Sequence, residues 1–264
     1  MLTSISQALL SRLIFRASRR PIACQKRETL LPVRWGHIQV WRERTHECQA
    51  IEPGVFLLRF LGARGRAEQG TTDPFNRLAH AKGEVWIANP PGFGGSSGPV
   101  SLCRYAEGSL AVFDEMFRVA AGRPVWVYGQ SFGTAAALHV AANRPVDWLV
   151  LKNVTSVSEW ATIHVPPWVR SLAQQLAAAL PVQLDVRRNA GMATAPSLFL
   201  TSRDDQLSPL AQQQAIRRAY GGPSEMCVVT GLHDQHILEP DDERQYVRYI
   251  EQAYAVAESR VVVR

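Results

Sequence analysis

Cysteine is scarce in this chain of 264 residues, and the four present, Cys24, Cys48, Cys103 and Cys227, share no C-x-x-C spacing. That excludes a disulfide framework and a cysteine-based zinc site, and it fits free thiols in a reducing, cytoplasmic compartment. No apolar run approaches the length of about 20 residues that a membrane-spanning helix needs. The first such run is broken by Arg12, and no basic residue precedes it as a secretory signal would require. No Gly-rich loop ends in the Lys-Ser or Lys-Thr pair of a nucleotide P-loop, so no nucleotide is implied. Internal repeats and low-complexity tracts are absent as well. Acidic residues are missing from the first 27 positions. Residues 1–44 hold nine Lys and Arg against Glu28 and Glu43, so the formal charge of +6 belongs to this end and the rest of the chain is nearly neutral. A nucleic-acid reading of the whole protein from its net charge is therefore misplaced.

What is present centres on Val125-Trp126-Val127-Tyr128-Gly129-Gln130-Ser131-Phe132-Gly133, followed by the helix-forming Thr134 to Ala141. The order is strand, sharp turn, helix. A serine at such a turn is lifted above the sheet edge, with glycine two residues away on either side because side chains there would collide. Gly-x-Ser-x-Gly alone is weak, since the abundances of glycine and serine give it by chance in roughly one chain in ten of this size. Gly94-Gly95-Ser96-Ser97-Gly98 also fits, but Pro90, Pro91 and Pro99 separate Ser96 from its strand and block a helix directly after it. Ser131 is the candidate nucleophile, and Ser96 belongs to a wide turn.

A serine hydroxyl needs a base to take its proton and an acid to orient that base. Two downstream strand-to-loop junctions supply them. Pro196 to Thr201 reads as a buried strand leading into Ser202-Arg203-Asp204-Asp205-Gln206-Leu207-Ser208-Pro209, with Asp205 as the acid. Met226 to Thr230 leads into Gly231-Leu232-His233-Asp234-Gln235-His236, with His233 as the base. A paired-histidine metal site is disfavoured, because His233 and His236 have no third ligand at suitable spacing. His37, His46, His80, His139 and His164 read as structural or exposed, His139 as a packed helix residue.

Residues 50 to 260 resemble the α/β-hydrolase superfamily, and in particular its small serine-hydrolase branch with Bem46-like and serine-aminopeptidase-like members. The resemblance rests on the elbow, the turn Pro91-Gly92-Phe93-Gly94-Gly95-Ser96, Asp205 four residues before Pro209, and Gly231-x-His233. That family places its acid four residues before a loop proline and its histidine after a Gly-x pair, which implies Asp205 over Asp204 and His233 over His236. It also implies an oxyanion hole of two backbone N–H groups, here those of Phe132 and, from the loop after the strand at 55–61, Ala63. Many relatives carry His-Gly where this chain has Leu61-Gly62. The implied activity is that of a cofactor-independent serine hydrolase without a metal, cleaving an ester or thioester through an acyl-enzyme. The alternatives are a peptidase or amidase, a lipid deacylase recruited to membranes, and a catalytically silent interaction protein on the same fold.

Short apolar runs at about 55–61, 84–89, 124–129, 147–153, 196–201 and 225–230 alternate with helix patterns, the last with Val247, Ile250, Tyr254 and Ala257 on one face. This predicts an α/β fold, a mostly parallel sheet covered on both faces. Residues 46–264 form one catalytic domain and residues 1–45 a basic extension. Asn153-Val154-Thr155, formally a glycosylation sequon, falls at the end of a predicted buried strand and is taken as coincidence. A short lid is expected at 156–195, with a helix from Pro167 to Leu180 whose stripe Trp168, Leu172, Leu176 and Leu180 packs on the body. Trp160, Ile163 and Val165 are the expected acyl-pocket residues. In the extension, Leu2, Ile5, Leu9 and Leu13, with Leu10 and Ile14, share a helical face apart from Arg12, Arg16, Arg19 and Arg20. Three readings stay open for residues 1–23: peripheral membrane contact, an organelle transit peptide, or a helix packed on the body. The expected ligand is a small-molecule or lipid-like acyl substrate, and the sequence is silent on oligomeric state.

Overall fold

A computed structural model describes residues 2–49, 51–237 and 239–262, with side chains from residue 5 to residue 260. One eight-stranded sheet organises it. Its strands are β1 (Arg27–Val33), β2 (Gly36–Arg44), β3 (Val55–Phe60), β4 (Gly83–Ala88), β5 (Val125–Gln130), β6 (Trp148–Lys152), β7 (Ser197–Ser202) and β8 (Ser224–Val229). They lie in the order β1-β2-β4-β3-β5-β6-β7-β8, with the pairings of β2 antiparallel and all others parallel. Every residue of β3 and β7 is buried, and the continuous apolar runs of the inner strands follow from covering both faces of a parallel sheet.

On one face lie α2 (Leu102–Ala120) and α3 (Gly133–Ala141). The Ser101 hydroxyl caps α2 by accepting from Arg104 N at 3.3 Å, and Ala121 in the left-handed region (φ 49°) ends it. All nine residues of α3 are buried; its alanines let it approach the sheet closely. The other face is covered by α8 (Pro240–Val262), which starts with proline and carries Asp241, Asp242 and Glu243 in its first turn, favourable at the positive end of a helix dipole. Its buried stripe is Tyr246, Ile250, Tyr254 and Ala257. Tyr246 thus takes the inward place expected of Val247, which is half-buried.

The segment from 156 to 195 folds as α4 (Val157–Ile163), α5 (Arg170–Ala177) and α6 (Val186–Met192), joined through single 3₁₀ turns at Pro167–Val169 and Val182–Leu184. The helix expected from Pro167 to Leu180 is therefore shorter. The outer half of its stripe does not pack on the body, since Trp168 is 84% and Leu172 68% exposed.

The first 45 residues differ most from expectation. They supply β1 and β2, which are hydrogen-bonded into the sheet, so the boundary drawn at residue 45 falls between strands of one sheet. Before them, α1 (Leu2–Ile14) lies across the body. Its successor Phe15 is buried edge-on against Phe93, Tyr105 and Phe132, with ring centroids 5.2 to 5.6 Å apart. Aromatic pairs of this geometry contribute about 0.5–1.5 kcal/mol each beyond area burial. Polar bonds continue the docking. Ser11 Oγ accepts from Leu102 N at 3.2 Å, Arg66 donates to Ser18 O and Arg20 O, and Arg19 donates to Gly98 O. No described helix is long and apolar enough to cross a membrane.

Candidate functional site

Three parallel strands deliver three side chains to one edge of the sheet. Ser131 follows β5, Asp205 follows β7 and His233 follows β8. Ser131 sits at φ 52°, a left-handed conformation that a residue with a Cβ rarely adopts. The neighbouring glycines make that turn feasible. A Cβ on Gly133 would lie 2.3 Å from Phe60 O, and one on Gly129 would lie 2.7 Å from Ala137 Cβ. The strand and helix therefore close around the serine only because both positions lack a side chain. Ser131 N donates to Lys152 O at 2.9 Å, which ties the turn to β6.

His233 Nε2 lies 2.7 Å from Ser131 Oγ, and His233 Nδ1 lies 2.7 Å from Asp205 Oδ2. His233 and Asp205 are buried. The other carboxylate oxygen, Asp205 Oδ1, accepts from Leu207 N at 2.9 Å and Ser208 N at 2.8 Å, and Gln213 Nε2 reaches Oδ2 at 3.3 Å. These donors fix the carboxylate so that it faces the imidazole. Of the residues weighed against them, Asp204 instead accepts from Gly231 N at 3.4 Å, and His236 is exposed on the wall of the adjoining cavity. Ser96 is wholly buried, donating to Asn89 O and accepting from Gln39 N, as befits a residue of a wide turn. His139 is buried in α3 and its pKa is lowered by burial.

Two residues went unrecognised in the sequence. Asn153, wholly buried at φ 51°, receives Ser202 N on Oδ1 at 2.7 Å and donates through Nδ2 to His233 O at 2.6 Å and Ser202 Oγ at 3.0 Å. One amide thus joins the ends of β6 and β7 to the histidine itself. Gln213, on α7 (Leu210–Arg218), is also wholly buried. Besides reaching Asp205 it donates to Ser208 O at 2.6 Å and accepts from Val154 N and Thr201 Oγ1. In the sequence Asn153 reads only as part of a sequon. The usable signal was a polar residue ending an otherwise apolar strand, since a buried amide needs partners. Lys152, one residue earlier, donates to Gln235 O at 3.1 Å, and burial lowers its pKa.

Ser131 opens onto a cavity of about 830 Å³. Phe132 and Ala63, the residues expected to offer oxyanion amides, both line it beside the serine. Trp160 lines it too. Ile163 and Val165 do not: Ile163 is half-exposed on α4 beyond the wall, and Val165 is half-buried outside it. One wall was not anticipated: it comes from α1, through Leu10, Leu13 and Ile14, and the inserted helices add Val157, Trp160 and Leu176 to the lining. Among the described residues, no cluster of His, Cys, Asp and Glu could hold a metal ion.

No family model matches the chain, and no curated protein matches it by sequence. Similarity to solved structures is extensive in shape and low in identity. An alpha-beta hydrolase from Vibrio vulnificus matches with a TM-score of 0.69 at 16% identity, covering 95% of this chain and 93% of its own. An esterase from Pyrococcus furiosus matches with a TM-score of 0.63 at 10% identity, over 90% of this chain and 97% of that one. An acylaminoacyl peptidase from Pyrococcus horikoshii also gives 0.63, at 14% identity over 88% of this chain and 41% of the peptidase. The chain has the α/β-hydrolase fold.

Proposed function

We propose that this protein is a serine hydrolase that cleaves a carboxylic ester or thioester through an acyl-enzyme on Ser131. The observation that carries the reading is the continuous chain Ser131 Oγ, His233 Nε2, His233 Nδ1, Asp205 Oδ2, with 2.7 Å at each gap, at the floor of an open cavity. Those distances lie within the reach a general base needs. With neutral His233 carrying its proton on Nδ1, the imidazole donates to Asp205 and leaves Nε2 to accept the serine proton. Ser131 Oγ attacks the substrate carbonyl, forming a tetrahedral oxyanion while Nε2 takes the hydroxyl proton. The amides of Phe132 and Ala63 receive that oxyanion; losing one such donor typically costs about 100- to 1000-fold in rate. Collapse of the intermediate breaks the bond to the leaving group, which takes the proton from Nε2. Water then repeats the sequence on the acyl-enzyme and releases the acid. Asp205 holds the imidazole in this tautomer and compensates the imidazolium.

The fold does not choose the leaving group, since its structural neighbours include both an esterase and a peptidase. The ester reading is preferred because the walls are mainly apolar, with Asp234 their one carboxylate among the described residues. The test is labelling by a fluorophosphonate probe together with turnover of p-nitrophenyl esters of graded chain length. Wild type labels and turns over, and Ser131→Ala does neither. His233→Ala is slower by at least about 1000-fold. Folded wild-type protein that neither labels nor turns over any ester overturns the proposal in favour of a silent fold.

A further inference from the structure

The walls of the cavity continue outward as two apolar stripes that nothing among the described residues covers. On α1, Leu13 lines the cavity, and Leu9 and Ile5 follow it at four-residue steps, on the same helical face. They are 60%, 51% and 63% exposed. On α5 and the turn before it, Leu176 lines the cavity, while Leu172 and Trp168 recede from it at the same spacing into solvent. Trp160 of α4 lies on the wall and is itself 40% exposed. Since α1 packs against α5, the stripes are neighbours. Single exposed leucines are ordinary, whereas a contiguous apolar rim around a cavity marks a docking surface.

The charge beside the rim selects its occupant. Arg12 and Arg16 are exposed in and just after α1, Arg64 is exposed on the cavity wall, and no acidic residue precedes Glu28. Asp234 is the one acidic residue of the cavity wall among the described residues. A second copy docking through this face would bring like charges together. A bilayer with anionic headgroups satisfies both features, with arginines at the phosphates and the leucines and tryptophans at the acyl boundary, where tryptophan is enriched.

We propose that this rim, formed by Ile5, Leu9, Leu13, Trp160, Trp168 and Leu172, docks on an anionic phospholipid surface. The cavity mouth then faces the bilayer, and the substrate is an acyl ester or thioester that resides there. The docking half stands on the surface alone; the substrate half rests on the hydrolase reading above.

The experiment is vesicle flotation of the full chain, wild type and Ser131→Ala, with phosphatidylcholine vesicles and with vesicles that also carry phosphatidylglycerol. Both proteins float with the anionic vesicles, less so at high salt. Each arginine near such a surface is expected to strengthen binding about fivefold, so Arg12→Gln with Arg16→Gln weakens it by about 25-fold. Trp168→Ser with Leu172→Ser abolishes flotation while p-nitrophenyl acetate turnover is unchanged. Failure of wild type to float with anionic vesicles overturns the docking proposal even if ester turnover is intact. So does flotation that ignores vesicle charge or the Trp168 and Leu172 changes, or self-association lost with those same changes. Flotation without any ester turnover upholds the docking and removes the substrate half together with the hydrolase reading.

Discussion

Replacing Asn153 tests whether one buried amide sets the geometry of the whole site. In Asn153→Ala, Ser202 N loses its acceptor and His233 O loses its donor, both in buried surroundings. A buried polar group left unsatisfied costs about 1–3 kcal/mol, so two give about 2–6 kcal/mol. A water entering the vacated space would recover part of this, which puts the expectation at about 2–4 kcal/mol. The backbone adds a separate effect, because φ is 51° and alanine tolerates this region less well than asparagine or glycine. Asn153→Gly should therefore be less destabilised than Asn153→Ala by about 1 kcal/mol despite losing the same hydrogen bonds. Asn153→Asp keeps the acceptor for Ser202 N but sets a buried carboxylate oxygen against His233 O, so stability and turnover should both fall in this variant. Urea denaturation gives the stabilities, and turnover of a short p-nitrophenyl ester gives kcat and KM separately. Displacing the histidine lowers kcat and leaves KM nearly unchanged. An alanine variant within about 0.5 kcal/mol of wild type, the range of an unremarkable surface change, with normal kcat, would refute the reasoning.

Two further predictions concern groups away from the serine. Glu84 on β4 accepts from Arg42, Arg44 and Trp86; burial raises its pKa, but those hydrogen bonds outweigh it and the net shift is downward. Its contribution is present above the unfolded carboxylate value, about 4.3, and is lost as pH falls through the lower folded one. Glu84→Gln should accordingly be less stable at pH 7 and show a flatter acid limb in urea midpoints from pH 3 to 7; parallel curves would contradict the assignment. Burial pushes the Cys227 thiol up to about 12, with Asp242 adding to the shift, whereas Cys103 is exposed. Iodoacetamide at pH 8 should modify Cys103 in the native protein and spare Cys227 until denaturant is added, as read by peptide mass.

The central strands were legible because burial on both faces leaves mostly apolar residues to read: Val55 to Phe60 and Ser197 to Ser202 lie within a residue or two of their expected limits. That Ser131, Asp205 and His233 come together was legible because strand-to-loop junctions in a parallel sheet open at one edge. β1 and β2 were hidden by charge. Ile38 and Val40 alternate inward, but among Arg27, Arg34, Arg42 and Arg44 the segment read as a basic extension. The pocket wall from α1 was hidden for another reason. That Leu10 and Ile14 face the cavity depends on where α1 docks, and docking is decided by Phe15 meeting three rings that are remote in sequence. Asn153 is the same kind of case, since its partners lie 49 and 80 residues further along.

The serine and histidine that share a hydrogen bond are 102 residues apart, the first after β5 and the second after β8. At a synthesis rate of about 5–20 residues per second, the histidine is made about 5–20 s after the serine. Through that interval the turn around Ser131 can close, because its glycines and its bond to Lys152 O come from nearby chain, yet its hydroxyl has no base and stays unreactive. On the mechanism proposed above, the nascent protein therefore carries Ser131 in a safe form until the last strand joins the sheet. Reactivity arrives together with the completed fold, so a probe that acylates Ser131 also reports how many chains have finished folding.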